Sequence, residues 1–213
     1  MAIMGPKKSP VRDREATKEG IYRAAGIIFA KCGFDGARVD QIAIEAKVNK
    51  LMLYHYFGSK DELFTVVIER AYQSIRAQEA ELELDSLRAD KAILALVEFT
   101  WQYYLANPDF IRILNSEDQM EARHLKLSPR THEINRSHIA ITERLLARGR
   151  RERSVRHDLD AVQLNVSIAA LGFFYLMNRH TLSAVFQRDL GSKQMLDERL
   201  AAMEDTIARW IRP

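Results

Sequence analysis

The chain has 213 residues, 47% hydrophobic and 29% charged, with only 9 Gly and 5 Pro; this balance excludes disordered and collagen-like chains and favours long helices. Cys32 is the single cysteine, so an intrachain disulfide and a thiolate zinc site are excluded and the cytoplasm is the expected compartment. Net charge is +3 but uneven: residues 1–60 hold eleven Lys and Arg against six Asp and Glu, an excess of five, and the other 153 residues carry −2. A cationic front end suits a phosphate-rich partner, although a solvated helix face gives a similar count.

Residues 1–15 read as a flexible basic tail lacking the apolar core of an export signal. In "TKEGIYRAAGIIFAKCG", Ile21, Ala24, Ala25, Ile28 and Phe29 recur at three- and four-residue steps, an amphipathic helix with Gly33 as its left-handed stop. A second short helix, about 39–46, presents Val39, Ile42 and Ala43 on one face. Asn49 is placed to cap a third helix running from Lys50 to Phe57. Ser59 caps a fourth, and Glu62 three residues on completes a capping box.

Five further helices are expected at about 87–106, 108–121, 132–151, 158–187 and 192–212, with Pro108 at a first helical position. The longest apolar run, "IAALGFFYLM" from Ile168, is about half of the ~20 residues a membrane span needs and reads as a buried helix. No membrane partner is expected. Nothing alternates with a strand period, so the fold class is all-α with about nine helices.

The three short helices share a small core of Ile28, Phe29, Val39, Ile42, Ala43, Val48, Leu53 and Phe57. Leu53 and Phe57, four apart, form the inward face of the third. Lys50, Leu51, Met52, Tyr54, His55 and Tyr56 are then left to the flanks and the outside, where so much aromatic and apolar surface calls for a partner. A helix, a turn and a second helix about a dozen residues on is the helix-turn-helix arrangement, whose second helix enters a major groove. Short residues at its start suit base edges; tyrosine hydroxyls, His55 and Lys60 suit phosphates. Packing of Tyr56 against the following helix is the competing reading.

Over "TKEGIYRAAGIIFAKCGFDGARVDQIAIEAKVNKLMLYHYFGSKDELF" the chain resembles the DNA-binding domain of the TetR family of bacterial transcriptional repressors, in its "AA…FA…GF", "V.QIA..A.V" and "LYHYF.SK.EL" motifs. The resemblance implies a homodimer that binds a palindromic double-stranded DNA operator and is released by a small-molecule effector. It implies a helix-turn-helix domain over 16–65 and a ligand-binding and dimerisation domain over 66–213. DNA contacts are carried to Arg38, Lys47, Asn49, Lys50, Leu51, Met52, Tyr54, His55, Tyr56 and Lys60. Three departures stand out: Lys47 where the family has Gly, Ala37 and Arg38 where it has Thr or Ser, and Leu51 and Met52 where it often has Gly-Thr. Apolar side chains at the last pair favour thymine methyls.

Residues 99–128 are similar to a TetR subgroup that includes regulators of nucleobase catabolism. The resemblance places Trp101, Tyr104, Phe110, Phe174 and Asn178 as candidate effector lining, with plain core the alternative for each. Arg123 and His124 suit a polar or anionic effector, or else the surface. The last two helices are implied to form a four-helix interface with a twofold mate, through small residues such as Ala169 and Gly172, with Phe173, and a stripe of Leu200, Met203, Ile207 and Trp210. No histidine pair has helical metal-ligand spacing, no nucleophile motif or phosphate-binding Gly loop appears, and neither cofactor nor catalysis is expected. The rival function is an all-helical small-molecule carrier or interaction protein without DNA binding.

Overall fold

A computed structural model describes residues 10–213, so the expected tail lies outside the described residues over its first nine positions. From Pro10 onward the chain is helical. The described residues form ten α-helices and no strand: α1 (Pro10–Gly36), α2 (Val39–Glu45), α3 (Lys50–Phe57), α4 (Lys60–Ala80), α5 (Ala89–Ala106), α6 (Pro108–Gln119), α7 (Arg123–Leu127), α8 (Pro129–Glu152), α9 (Ala161–Phe186) and α10 (Lys193–Ile211), with a 3-10 turn at Leu84–Ser86. The helix that sequence periodicity did not announce is α7, five residues long.

Two compact units divide the chain. The first takes in the described chain up to Arg70 together with Arg112–Ser128; the second comprises Ala71–Ile111 and Pro129–Pro213. The divisions fall inside α4, inside α6 and between α7 and α8.

In the first unit the expected core forms around Phe29, Ile42, Ala43, Leu53 and Phe57, joined by Ile21, Phe34, Leu63 and Phe64. Ile28, Val39 and Val48, expected inside, are only half-buried. The rings of Phe29, Phe34 and Phe64 lie 4.8 to 6.1 Å apart. Gly33 breaks α1 at φ 68°, ψ 177°, a region open essentially to glycine alone. Released from the helix, the Phe34 N–H donates to Ser116 Oγ at 2.8 Å, tying α1 to α6.

The start of α4 departs from the expected box. Ser59 Oγ accepts the Glu62 N–H at 3.1 Å, but the Glu62 carboxylate accepts from the Ser59 hydroxyl at 2.9 Å. The Ser59 N–H turns instead to Phe57 O.

The second unit is built on α5, which packs against α8, α9 and α10. Gly172 lets α9 come close: a Cβ there would meet a Tyr104 ring carbon at 3.2 Å and Met203 Cε at 3.5 Å. This overturns part of the expected dimer stripe, because Gly172, Met203 and Ile207 are consumed inside their own unit. Ala169, Phe173, Leu200 and Trp210 are half-buried. Nor is α9 wholly buried. Ala161, Leu164, Ile168, Gly172, Tyr175 and Leu176 face inward, while Val162, Val166, Phe174, Val185 and Phe186 are exposed on a helix of 26 residues. By length and composition alone α9 would suffice to cross a membrane, yet the inward half of its surface is used by the packing of the unit.

Candidate nucleic-acid interface

The turn between α2 and α3 fixes how α3 is presented. Lys47 takes the left-handed conformation at φ 56° that glycine would adopt without strain, so the turn keeps its shape at a cost of about 1 kcal/mol. Asn49 then caps α3, its Oδ1 accepting the Met52 N–H at 2.8 Å. Across the turn, Lys50 Nζ pairs with Asp40 of α2 at 3.0 Å. The Asp40 hydrogen bond and charge raise the Lys50 pKa. Arg38 starts α2 from an exposed position, where Gln41 Oε1 accepts its backbone N–H at 3.0 Å.

With Leu53 and Phe57 inward, the rest of α3 distributes as its helical spacing requires. Leu51 is 77% exposed and Tyr54 41%; Lys50 and His55 are exposed, Met52 and Tyr56 half-buried. Ile44 on α2, which the sequence reading did not single out, is 78% exposed. Consecutive helices thus each expose one bare aliphatic side chain, in a stretch where Lys47, Lys50, Tyr54 and His55 are exposed too. The signal was present: Ile42 and Ala43 use the buried face of a seven-residue helix, so Ile44 must point away.

Cations line the remaining approach. The Arg14 guanidinium lies 5.9 Å from the Tyr56 ring, and His55 packs edge-on to that ring at 5.2 Å. Tyr56 is therefore held by α1 and by its own helix. Lys60 Nζ stands 4.3 Å above the Phe34 ring, and Lys18 Nζ 6.0 Å from the Phe57 ring. Each ammonium or guanidinium rests its weight on an aromatic face while remaining a donor for an oxyanion. Arg14 and Lys18 belong to a helix whose charges sequence spacing alone does not aim.

Arg123 and His124 belong to this first unit. His124 is 3% exposed, not a surface residue. Its Nδ1 is 2.7 Å from Glu117 Oε2 and its Nε2 3.3 Å from Asp61 Oδ1. Its ring lies 4.9 Å from Phe34 and 4.8 Å from Phe64. Glu117 Oε1 also accepts the backbone N–H groups of His124 and Leu125, at 2.7 and 2.8 Å. Arg123 pairs with Asp61 and lies over Phe34 at 5.3 Å. Both side chains hold the unit together.

The other candidate effector residues lie in the second unit. Trp101, Tyr104 and Phe110 are buried. Phe110 is packed by Tyr72, Tyr103 and Tyr104 at 5.4 to 6.0 Å, and Trp101 by Tyr175 at 5.8 Å. Burial pushes the Tyr104 phenol up to about 12. Phe174 is 60% exposed, and Asn178 Nδ2 donates back to Phe174 O at 2.9 Å. Sequence spacing did not find a buried polar seam in the same unit. Glu79, 2% exposed, pairs with Arg76 at 2.6 Å and with His138 Nδ1 at 2.7 Å. One turn along α8, Thr142 donates to Asn165 Oδ1 at 2.9 Å. Arg76 Nε and Asn165 Nδ2 are buried with no hydrogen-bond partner. Among the described residues no cluster of His, Cys, Asp or Glu is arranged to hold a metal.

A capped helix presented outward from a three-helix core, with cations on both flanks, defines a helix-turn-helix regulator. Residues 21–67 match the family model described as bacterial regulatory proteins of the tetR family, and residues 90–207 match the tetracyclin repressor-like C-terminal domain. The chain belongs to the TetR family of bacterial transcriptional regulators. It is 35% identical over 211 residues to the HTH-type transcriptional repressor NicS of Pseudomonas putida, covering 98% of this chain and all of that protein. It is 37% identical over 103 residues to the HTH-type transcriptional repressor SCO4008 of Streptomyces coelicolor, 48% of this chain and 50% of that one. Among solved structures it is similar to the transcriptional regulator SCO4942 of Streptomyces coelicolor, with a TM-score of 0.70 at 25% identity over 92% of this chain and 99% of that chain. The fold is also that of FadR from Bacillus subtilis, solved with stearoyl-CoA, with a TM-score of 0.68 at 17% identity over 91% and 99%.

Proposed function

We propose that this protein is a cytoplasmic, ligand-responsive transcriptional repressor that binds a palindromic operator as a homodimer and is released by a small-molecule effector. The outward surface of α3 carries the reading: on this capped helix Leu51 stands bare with Lys50, Tyr54 and His55 exposed, and Lys47 in the turn and Ile44 on the preceding α2 are exposed as well. Apolar side chains there match thymine methyls, and the surrounding donors match phosphates. The repressor activity named for the Pseudomonas putida relative supports it, since that likeness runs nearly end to end.

Dimerisation is supported by the exposed apolar face of α9, with Val162, Val166 and Phe174 at helical spacing. Effector binding is assigned to the second unit. Its seam of Arg76, Glu79, His138, Thr142 and Asn165 offers two buried donors without partners, each costing about 1 to 3 kcal/mol until an acceptor arrives. A coupling of about 1 to 3 kcal/mol between effector and operator would change operator affinity roughly 5- to 150-fold.

The test is titration of the full chain with the DNA upstream of its own coding region, over a range of salt. Binding whose log affinity falls with log salt, by about 0.9 per phosphate neutralised, supports the repressor reading. Salt-independent or absent binding leaves a helical carrier.

A further inference from the structure

The seam of Arg76, Glu79, His138, Thr142 and Asn165 limits the chemistry of whatever it receives, because its hydrogen-bond inventory is one-sided. Glu79 joins α4 to α8 with both carboxylate oxygens engaged: Oε2 accepts from Arg76 Nη1 at 2.6 Å, and Oε1 lies 2.7 Å from His138 Nδ1. One turn along α8, the Thr142 hydroxyl donates to Asn165 Oδ1 at 2.9 Å and joins α8 to α9. The two polar atoms left over are both donors. Arg76 Nε and Asn165 Nδ2 are each buried without a hydrogen-bond partner.

A buried donor is costly until an acceptor reaches it, and a ligand that brought a further donor would add to that cost. The seam therefore selects for an acceptor. Charge narrows the choice again. Arg76 and His138 both already face the Glu79 carboxylate, so an incoming carboxylate would leave water without meeting a cation that lacks a counter-charge. An uncharged oxygen acceptor avoids that penalty. Leu146 follows Thr142 by four residues on α8 and Ile168 follows Asn165 by three on α9; both are buried, so the helix faces that carry the seam continue as apolar surface.

We propose that the effector taken by this seam is an uncharged carbonyl compound with an apolar body, such as a ketone, an ester or a lactone, whose oxygen accepts hydrogen bonds from these donors. The proposal rests on the assignment of effector binding to the seam and adds the chemical class.

The test is ligand-observed NMR titration of the full chain, without DNA, with acetophenone, benzoate and aniline. The three share a ring and present an uncharged acceptor, an anionic acceptor and an uncharged donor. Acetophenone is expected to bind about tenfold more tightly than either of the others. Asn165→Leu removes one open donor and is expected to weaken acetophenone about five- to tenfold while changing aniline by less than about twofold. Arg76→Lys keeps a cation for Glu79 but has no Nε, and the same loss is expected; it decides the matter if Asn165→Leu fails to fold. Equal binding of the three probes, tighter binding of benzoate, or acetophenone affinity unchanged in both variants would overturn the proposal. A separate arm measures salt-dependent DNA binding by the wild type with and without acetophenone. DNA binding by a protein that takes no acetophenone overturns the carbonyl assignment and leaves the repressor reading intact, whereas acetophenone bound at the seam with DNA affinity unchanged supports the site and removes its effector role.

Discussion

At Lys47 two requirements meet in one residue. The turn into α3 demands a left-handed backbone, which costs a lysine about 1 kcal/mol, while glycine there would lose a similar amount through its looser unfolded chain. Lys47→Gly is therefore expected to leave the urea midpoint nearly unchanged while weakening binding to operator and random DNA alike, with the salt slope shallower by about one. A clear change in stability, or an unaltered slope, would separate Lys47 from phosphate binding. Leu51, so exposed that its removal costs the fold less than about 0.5 kcal/mol, is expected on replacement by alanine to relax sequence preference and spare nonspecific affinity. Much of this was legible in residues. Leu53 and Phe57 are four apart, which fixes what faces inward, and Asn49 precedes a helix as a cap should. Ile44 is less legible, since the period of a seven-residue helix marks its buried side and not what its exposed side meets, and the engagement of Lys50 by Asp40, ten residues earlier, has no periodic signature.

Among the elements, α7 shows what periodicity does not carry. It is five residues long, follows two left-handed residues, Glu121 and Ala122, and is held by one buried carboxylate from α6. Glu117→Ala strands the His124 imidazole and two backbone N–H groups, and is expected to cost about 3 kcal/mol in chemical denaturation. A loss below about 1 kcal/mol would show that the Glu117 contacts are dispensable. In the second unit, Tyr104 gives the packing of α5 a pH dependence. Its folded phenol holds its proton to about 12, whereas an unfolded tyrosine releases it near 10. The folded state thus binds more protons between these values, and the contribution present below pH 10 is lost as pH rises to 12, up to roughly 3 kcal/mol. Tyr104→Phe, which keeps the ring stacked on Phe110, should flatten stability across that window when denaturation is repeated at pH 9 and pH 11. The stripe on α10 was legible as a stripe but not in its direction: Met203 and Ile207 face their own unit, since helical period reveals a face and not what covers it.

At the level of the whole molecule, α9 offers the apolar surface that its own unit leaves uncovered. Val166→Glu, on that exposed face, is expected to keep helix content while shifting the protein to monomer in sedimentation and abolishing tight operator binding. A dimer that survives this substitution would place the interface elsewhere. The family and helix-turn-helix were legible because they depend on local signals: caps, a turn and alternating buried positions within fifty residues. The tie of residues 112–128 to the first unit was not, because it runs through Ser116 on Phe34 and His124 on Asp61, contacts that span up to 82 positions.

The central claim, that the outward side of α3 reads DNA from a twofold pair, is tested most directly by selecting genomic fragments on the purified protein and footprinting those it retains. The account predicts a shared inverted repeat whose half-sites lie about one helical turn or a small multiple apart, with Leu51→Ala retaining the same fragments less selectively. Fragments without a common repeat, or footprints unaffected by Leu51→Ala and Lys47→Gly, would contradict it.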